Sequence, residues 1–216
     1  MRTYTKQEVA ATIDHAVLKP EFTDAELAQH ATMCIENGVF SMCVKPCDVK
    51  MAADLLNGSS VKVSCVLSFP HGADTTATKV FQAQQAIEDG VDEIDMVMNI
   101  GKFISEDFDY VKNDIQAVVE IAHQHNVLVK VIQESGHLTP EQIAVASELA
   151  YQAGADFVKT STGFGPGSAT PESIDVMVKT VGHKMQVKAS GGIRTWDEAL
   201  AYLEQGADRL GVGSTA

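Results

Sequence analysis

The sequence predicts a single-domain α/β protein, a closed (β/α)8 TIM barrel spanning residues 1–216. Three observations predict it. First, short β-branched runs alternate with stretches that open on a helix-start signal, the pattern of a parallel sheet covered on its faces by helices. Second, four helix-to-strand junctions resemble one another: Asn37-Gly38-Val39, Asp89-Gly90-Val91-Asp92, Ala153-Gly154-Ala155-Asp156 and Gln205-Gly206-Ala207-Asp208. Their glycines are 52, 64 and 52 residues apart, and each interval holds two βα units of roughly 25 to 30 residues, which implies eight strands. Third, no Gly-x-Gly-x-x-Gly follows the first strand, which weakens the open doubly wound sheet as the alternative.

Along the chain, the first strand is placed at residues 11–14. Thr23-Asp24-Ala25-Glu26 reads as a capping box, opening a helix that closes near Gly38 and delivers the chain to a strand at 40–44. Strands at 61–67 and 93–98 follow, then Leu128–Ile132. Thr139 and Thr170 each precede a proline, at Pro140 and Pro171, which suits an N-cap with proline in the first helical turn. Between and after those helices lie strands at 157–160 and 186–189. Thr195 with Glu198 repeats the capping box, its helix ends near Gly206, and Arg209–Val212 is the eighth strand.

The formal net charge of −13 argues against nucleic acid or an anionic membrane as the main partner, since both need clustered Lys and Arg. A small phosphorylated ligand needs only a few backbone N–H groups and one or two cations, so the acidic balance leaves it open. The N-terminus carries no signal-like apolar run and no segment approaches a membrane span, so a cytoplasmic protein is expected. Cys34, Cys43, Cys47 and Cys65 lack paired metal-type spacing and are expected to be reduced thiols.

In such a barrel the reacting groups stand at the C-terminal ends of strands. Polar residues expected there are Asp14, Lys45, Asp95 with Asn99, Lys130 with Glu134, Lys159 with Thr160, Lys188 with Ser190, and Ser214. Lys159 and Lys188 hold the same relative place on the sixth and seventh strands, so their amines should be neighbours. A lysine inside a barrel must be paired, desolvated to a lower pKa, or used, and an amine attacks a carbonyl only when neutral. The plainer reading has Lys130, Lys159 and Lys188 ion-paired with Asp95 and Glu134 to fill a polar barrel centre. Two glycine-rich turns, Ser190-Gly191-Gly192 and Gly211-Val212-Gly213-Ser214, follow strands seven and eight, where these barrels bind phosphate; glycine is also simply a turn former.

Thr12-Ile13-Asp14-His15 with Leu18-Lys19-Pro20, residues 93–101, Val158-Lys159-Thr160-Ser161-Thr162-Gly163 and Val187-Lys188-Ala189-Ser190-Gly191-Gly192-Ile193 together resemble the deoxyribose-phosphate aldolases of the shorter bacterial type, from about residue 8 to the last. The resemblance implies a lyase of deoxyribonucleoside catabolism. It would cleave 2-deoxy-D-ribose 5-phosphate reversibly to D-glyceraldehyde 3-phosphate and acetaldehyde, with no metal or cofactor. It makes Lys159 the Schiff-base nucleophile, Lys188 the neighbouring cation that lowers its pKa and relays protons, and Asp95 the second relay group. By the same likeness Lys130 lines the pocket, Thr160 and Gly163 contact substrate, and Gly191, Gly192, Gly213 and Ser214 hold the phosphate. Cys43 matches a pocket cysteine of some relatives, while a small buried hydrophobe is the plainer role. His71, in the segment that follows the third strand, is expected either to touch substrate or to organise its loop. A homodimer is in keeping with the family.

Two departures stand out. Phe164 occupies a position where some relatives have a lysine, so the loop 164–167 would have to serve by its backbone. The chain reaches Ala216 directly after the strand-eight turn, without the usual last helix and tail, so an apolar flank should be exposed and stability lowered. Two alternatives remain: another class I aldolase or transaldolase acting on a longer sugar phosphate, and a non-catalytic sugar-phosphate-binding barrel.

Overall fold

The computed structural model describes residues 3–213 and Thr215. Its eight strands are β1 (Ile13–Val17), β2 (Ser41–Val44), β3 (Lys62–Leu67), β4 (Glu93–Val97), β5 (Leu128–Ile132), β6 (Phe157–Lys159), β7 (Gln186–Ser190) and β8 (Arg209–Val212). They pair in parallel in sequence order, and β8 returns to β1 to close the barrel. Around it run α1 (Lys6–Ala10), α2 (Asp24–Asn37), α3 (Val49–Leu56), α4 (Thr76–Glu88), α5 (Ile100–Ile104), α6 (Phe108–His123), α7 (Pro140–Gln152), α8 (Pro171–Val181) and α9 (Trp196–Gln205). Among the described residues no helix is long and apolar enough to cross a membrane.

The local signals explain the helix ends. Thr23, Thr139, Thr170 and Thr195 each accept a hydrogen bond from the backbone N–H three residues on, and the side chain at that third position bonds back to the cap. Each box satisfies two donors that the first helical turn leaves unpaired.

The first strand begins later than its composition suggests, at Ile13 rather than residue 11. The cause is α1, which Thr5 and Glu8 cap in the same way. Both the backbone N–H (2.9 Å) and the hydroxyl (2.7 Å) of Thr12 donate to the Val9 carbonyl, so residues 11 and 12 close a helical turn. Asp14 is therefore the second residue of β1, deep in the barrel and not at its end.

Most buried apolar side chains form one shell between the barrel and its helices. Cys43, Val66, Val97, Ile132 and Phe157 are buried yet lie outside that shell, on the alternate, inward-facing strand positions. Charged groups fill the rest of the interior. Beside β8 a groove of about 710 Å³ lies between α1, α2 and α9, walled by Val9, Ile13, Ile35, Trp196, Ala199 and Val212. Ile35 and Trp196 on its rim remain 44% and 42% exposed.

Candidate active site

The strand register places the site. Lys159 pairs directly with Lys188 across β6 and β7, and Asp95 with Lys130 across β4 and β5. Side chains at paired positions share a face, so all four converge inside the barrel. Lys159 Nζ and Lys188 Nζ each donate to Asp95 Oδ2 at 2.7 Å. The other carboxylate oxygen, Oδ1, accepts from Lys130 Nζ at 2.8 Å and from Ser64 Oγ at 3.1 Å. Asp95 thus has no rotational freedom, and its four donors hold it in place for both lysines.

Below this layer two groups that the sequence reading passed over complete a network. Glu93 bonds Lys130, and Arg209 bridges Glu93 (3.0 Å) and Asp14 (2.8 Å) with its guanidinium stacked over Phe40 at 3.4 Å from the ring centroid. Asp14 in turn accepts from Lys188 and Ser41. Glu93 and Arg209 open their strands, so a search confined to strand ends misses them. For Glu93 the signal was its period-2 spacing with Asp95, which puts both on one face.

Three carboxylates, Asp14, Glu93 and Asp95, therefore meet four bases, Lys130, Lys159, Lys188 and Arg209. Lys130 contacts all three carboxylates; Lys188 and Arg209 contact two each. Lys159 contacts one. A buried cluster that carries no net charge is far cheaper than one with an unbalanced ion, so one base is the natural candidate to be neutral, and Lys159 has the weakest support for a charge. The direction of each pKa agrees. Desolvation pulls Lys159 below the ordinary lysine value, with Lys188 adding to the pull and Asp95 opposing it. For Lys188 desolvation is outweighed by Asp14 and Asp95, which hold it above that value. Desolvation of Asp95 is likewise overcome, here by its three lysines, which keep its carboxyl well below the usual range.

A cavity of about 380 Å³ opens above the cluster. Among the residues proposed from sequence, Asp14, Lys159, Gly163, Lys188, Ser190, Gly191, Gly192 and Gly213 line it, and Cys43 also forms part of its wall. Burial raises the Cys43 thiol pKa. Other placements differ from expectation. Lys130, expected on the wall, is fully buried and bonded to Asp95, because it pairs with Phe157, two positions before Lys159 on β6. Thr160 is also buried, its hydroxyl donating to the Ser190 carbonyl and accepting from the Ser190 N–H. Glu134 does not pair with any lysine: its carboxylate accepts from the backbone N–H and hydroxyl of Thr162. Lys45 reaches the Lys19 and Phe22 carbonyls and Asp48, while Asn99 caps α5, so neither reaches the cluster. His71 is exposed and absent from the wall. Ser214 lies outside the described residues.

Gly191 and Gly192 have φ of +87° and +78°, successive values that only glycine adopts readily, and they turn backbone along the cavity wall. Lys19, which the first motif contains without a role, and Arg194, not singled out from sequence, bring positive charge to the same wall. Phe164 stands at the mouth, half exposed and edge-on to Phe69 at 5.3 Å, and its backbone N–H is taken by Thr162 Oγ1. The loop bearing Phe164 crosses the β5–α7 loop where Gly167 meets Gly136; a Cβ on either would fall 2.5–2.6 Å from the other's Cα. Among the described residues no group of three or more His, Cys, Asp or Glu could hold a metal ion.

Comparison with known proteins gives this arrangement its context. A curated deoxyribose-phosphate aldolase from Thermococcus kodakarensis is 50% identical over 211 residues, 97% of this chain and 94% of the relative. Another, from Clostridium perfringens, is 48% identical over 210 residues, 97% of this chain and 93% of the relative. The solved tetrameric deoxyribose phosphate aldolase from Aeropyrum pernix superposes with a TM-score of 0.91 at 27% identity, covering 98% of this chain and 89% of that one. The model of the DeoC/LacD family aldolases matches residues 8–214, nearly the whole barrel with its lysine pair and glycine turns, and the chain belongs to that family of lyases.

Proposed function

We propose that the chain cleaves 2-deoxy-D-ribose 5-phosphate reversibly to D-glyceraldehyde 3-phosphate and acetaldehyde through a Schiff base on Lys159. The observation that carries this reading is the uneven pairing of the buried cluster, in which Lys159 alone among four bases has a single carboxylate partner. A neutral amine at that point is the nucleophile a carbonyl substrate needs.

In this reading Lys159 Nζ adds to the C1 aldehyde of the open-chain sugar. Lys188 supplies the proton with which the carbinolamine hydroxyl leaves as water, giving an iminium ion. The C2–C3 bond then breaks: its electron pair moves into the iminium to form an enamine, and the C3 hydroxyl proton returns to the Lys188–Asp95 pair as the C3 carbonyl forms. D-Glyceraldehyde 3-phosphate leaves, C2 is protonated from the same pair, and water releases acetaldehyde and the free amine. Lys188 and Asp95, 2.7 Å apart, are spaced for that relay. Lys130 serves by holding Asp95, and Thr160 by locking the ends of β6 and β7 together. The backbone N–H groups around Gly191, Gly192 and Gly213, with Lys19 and Arg194 nearby, suit a phosphate; Gly163 lines the same cavity.

Incubation with acetaldehyde followed by borohydride, with peptide mass spectrometry, tests the reading. A two-carbon adduct on Lys159 is expected, with none in Lys159→Ala. A folded protein that gives no adduct, or one on another residue, overturns it.

A further inference from the structure

His15 belongs to the first motif of the sequence, yet the chemistry above leaves it without a role. Its neighbour Asp14 points into the barrel, so His15 points outward, buried to 1% exposure between β1 and α2. Each ring nitrogen has a partner. Nε2 lies 2.9 Å from His30 Nδ1 on α2, and Nδ1 lies 2.7 Å from the hydroxyl of Thr215, past the end of β8. Phe22 packs against the His30 ring at 5.1 Å, bracing it from the far side.

This geometry ties down a functional turn. β8 pairs with β1, with His15 opposite Val212. Gly213, the next residue, lines the cavity, and Thr215 two residues later lies on the outer groove. A cavity-facing glycine and a threonine held from outside are thus only two positions apart in the chain. Backbone N–H groups bind an anion well only if their direction is fixed beforehand. Burial, and then His30, push His15 down to about 4, so its ring is neutral at neutral pH and offers one donor and one acceptor. Either tautomer satisfies both contacts, because the threonine hydroxyl can donate or accept.

We propose that His15 is a positioning residue for the substrate's phosphate: held by His30, it anchors Thr215 and so restricts the direction of the Gly213 backbone two positions before it. The proposal rests on the phosphate reading given above. It separates specificity for the ester from the chemistry at Lys159.

The test compares steady-state kinetics on 2-deoxyribose 5-phosphate and on unphosphorylated 2-deoxyribose for the unmodified chain, Thr215→Val, His15→Gln and His15→Asn. Thr215 is partly exposed, so valine removes the hydroxyl without disturbing the core. Asparagine at position 15 reproduces the Nδ1 position and keeps the Thr215 bond; glutamine reproduces Nε2 and loses it. Thr215→Val and His15→Gln are expected to raise KM for the ester roughly tenfold, the loss of about one buried hydrogen bond, with kcat unchanged and the unphosphorylated sugar unaffected. His15→Asn, which keeps the Thr215 bond but not the His30 one, should recover part of the lower KM. Unchanged KM in Thr215→Val, or equal losses on both sugars, overturns the positioning role while leaving the phosphate reading intact. An unmodified chain that shows no preference for the ester overturns the phosphate reading, and this proposal with it.

Discussion

Lys188 governs two quantities at once, the charge beside Lys159 and the ionisation of Asp95. In Lys188→Leu, Lys159 loses the cation that depresses it and no longer shares Asp95 Oδ2. Both changes raise the Lys159 pKa, so the neutral amine appears only at higher pH. The acid limb of the pH profile of kcat/KM should move upward, and activity at neutral pH should fall by roughly a hundredfold or more, a typical loss for a positioned acid–base group. A profile that keeps its shape while losing height would show that Lys188 acts only as a proton carrier. At this scale the sequence was legible where chemistry and position coincide: Lys159, Lys188 and Asp95 stand in short motifs on inward strand positions. Glu93 and Arg209 were not, because an ion at the bottom of a barrel is set by what faces it across the sheet. Lys19 and Arg194 reach the cavity from loops, and no periodicity places a loop side chain.

Among the elements, α4 and α6 are joined by a second buried ion pair remote from the cavity. Lys79 Nζ donates to Asp114 at 2.6 Å and to the Val97 carbonyl at 3.1 Å, and Thr76 also donates to Asp114. Both side chains are completely buried. Asp114→Ala leaves an uncompensated ammonium there, which costs roughly 3–5 kcal/mol, and urea unfolding should show a matching drop with little change in kcat for the protein that stays folded. Lys79→Met combined with Asp114→Leu should recover most of the loss, since it removes both charges together. Loss of activity in proportion to stability would instead tie the pair to the site through the end of β4. Helices that open on a threonine box were readable, and so were glycine-terminated ones. α1 carries the same box at Thr5 and Glu8 but is only five residues long, too short for a periodic apolar face to announce it. Its presence is what moved the start of β1.

For the molecule as a whole, barrel closure followed from the repeat of the glycine junctions, because a unit repeated with the same hand must either spiral open or return on itself. The groove beside β8 leaves Ile35 and Trp196 partly open to water. A helix joined after the strand-eight turn, apolar on one face, should pack against Ile35, Trp196 and Val212 and raise the thermal midpoint by several degrees, as a gain of about 1 kcal/mol does for a domain of this size. Equal midpoints for the two chains would show that the groove is already stable against water. A midpoint that rises with protein concentration in the shorter chain would indicate that a second copy covers the same surface.

The contact of Gly136 with Gly167 reaches beyond the resting structure. It couples the connections after β5 and β6 so closely that neither can change length or gain a side chain at the crossing without displacing the other. Laboratory diversification of the pocket mouth at 163–168 alone would therefore yield mostly collapsed variants, whereas libraries that vary 134–137 in step, or that work from the Phe69 side of the opening, would sample new acceptor shapes while leaving the lysine chemistry beneath untouched.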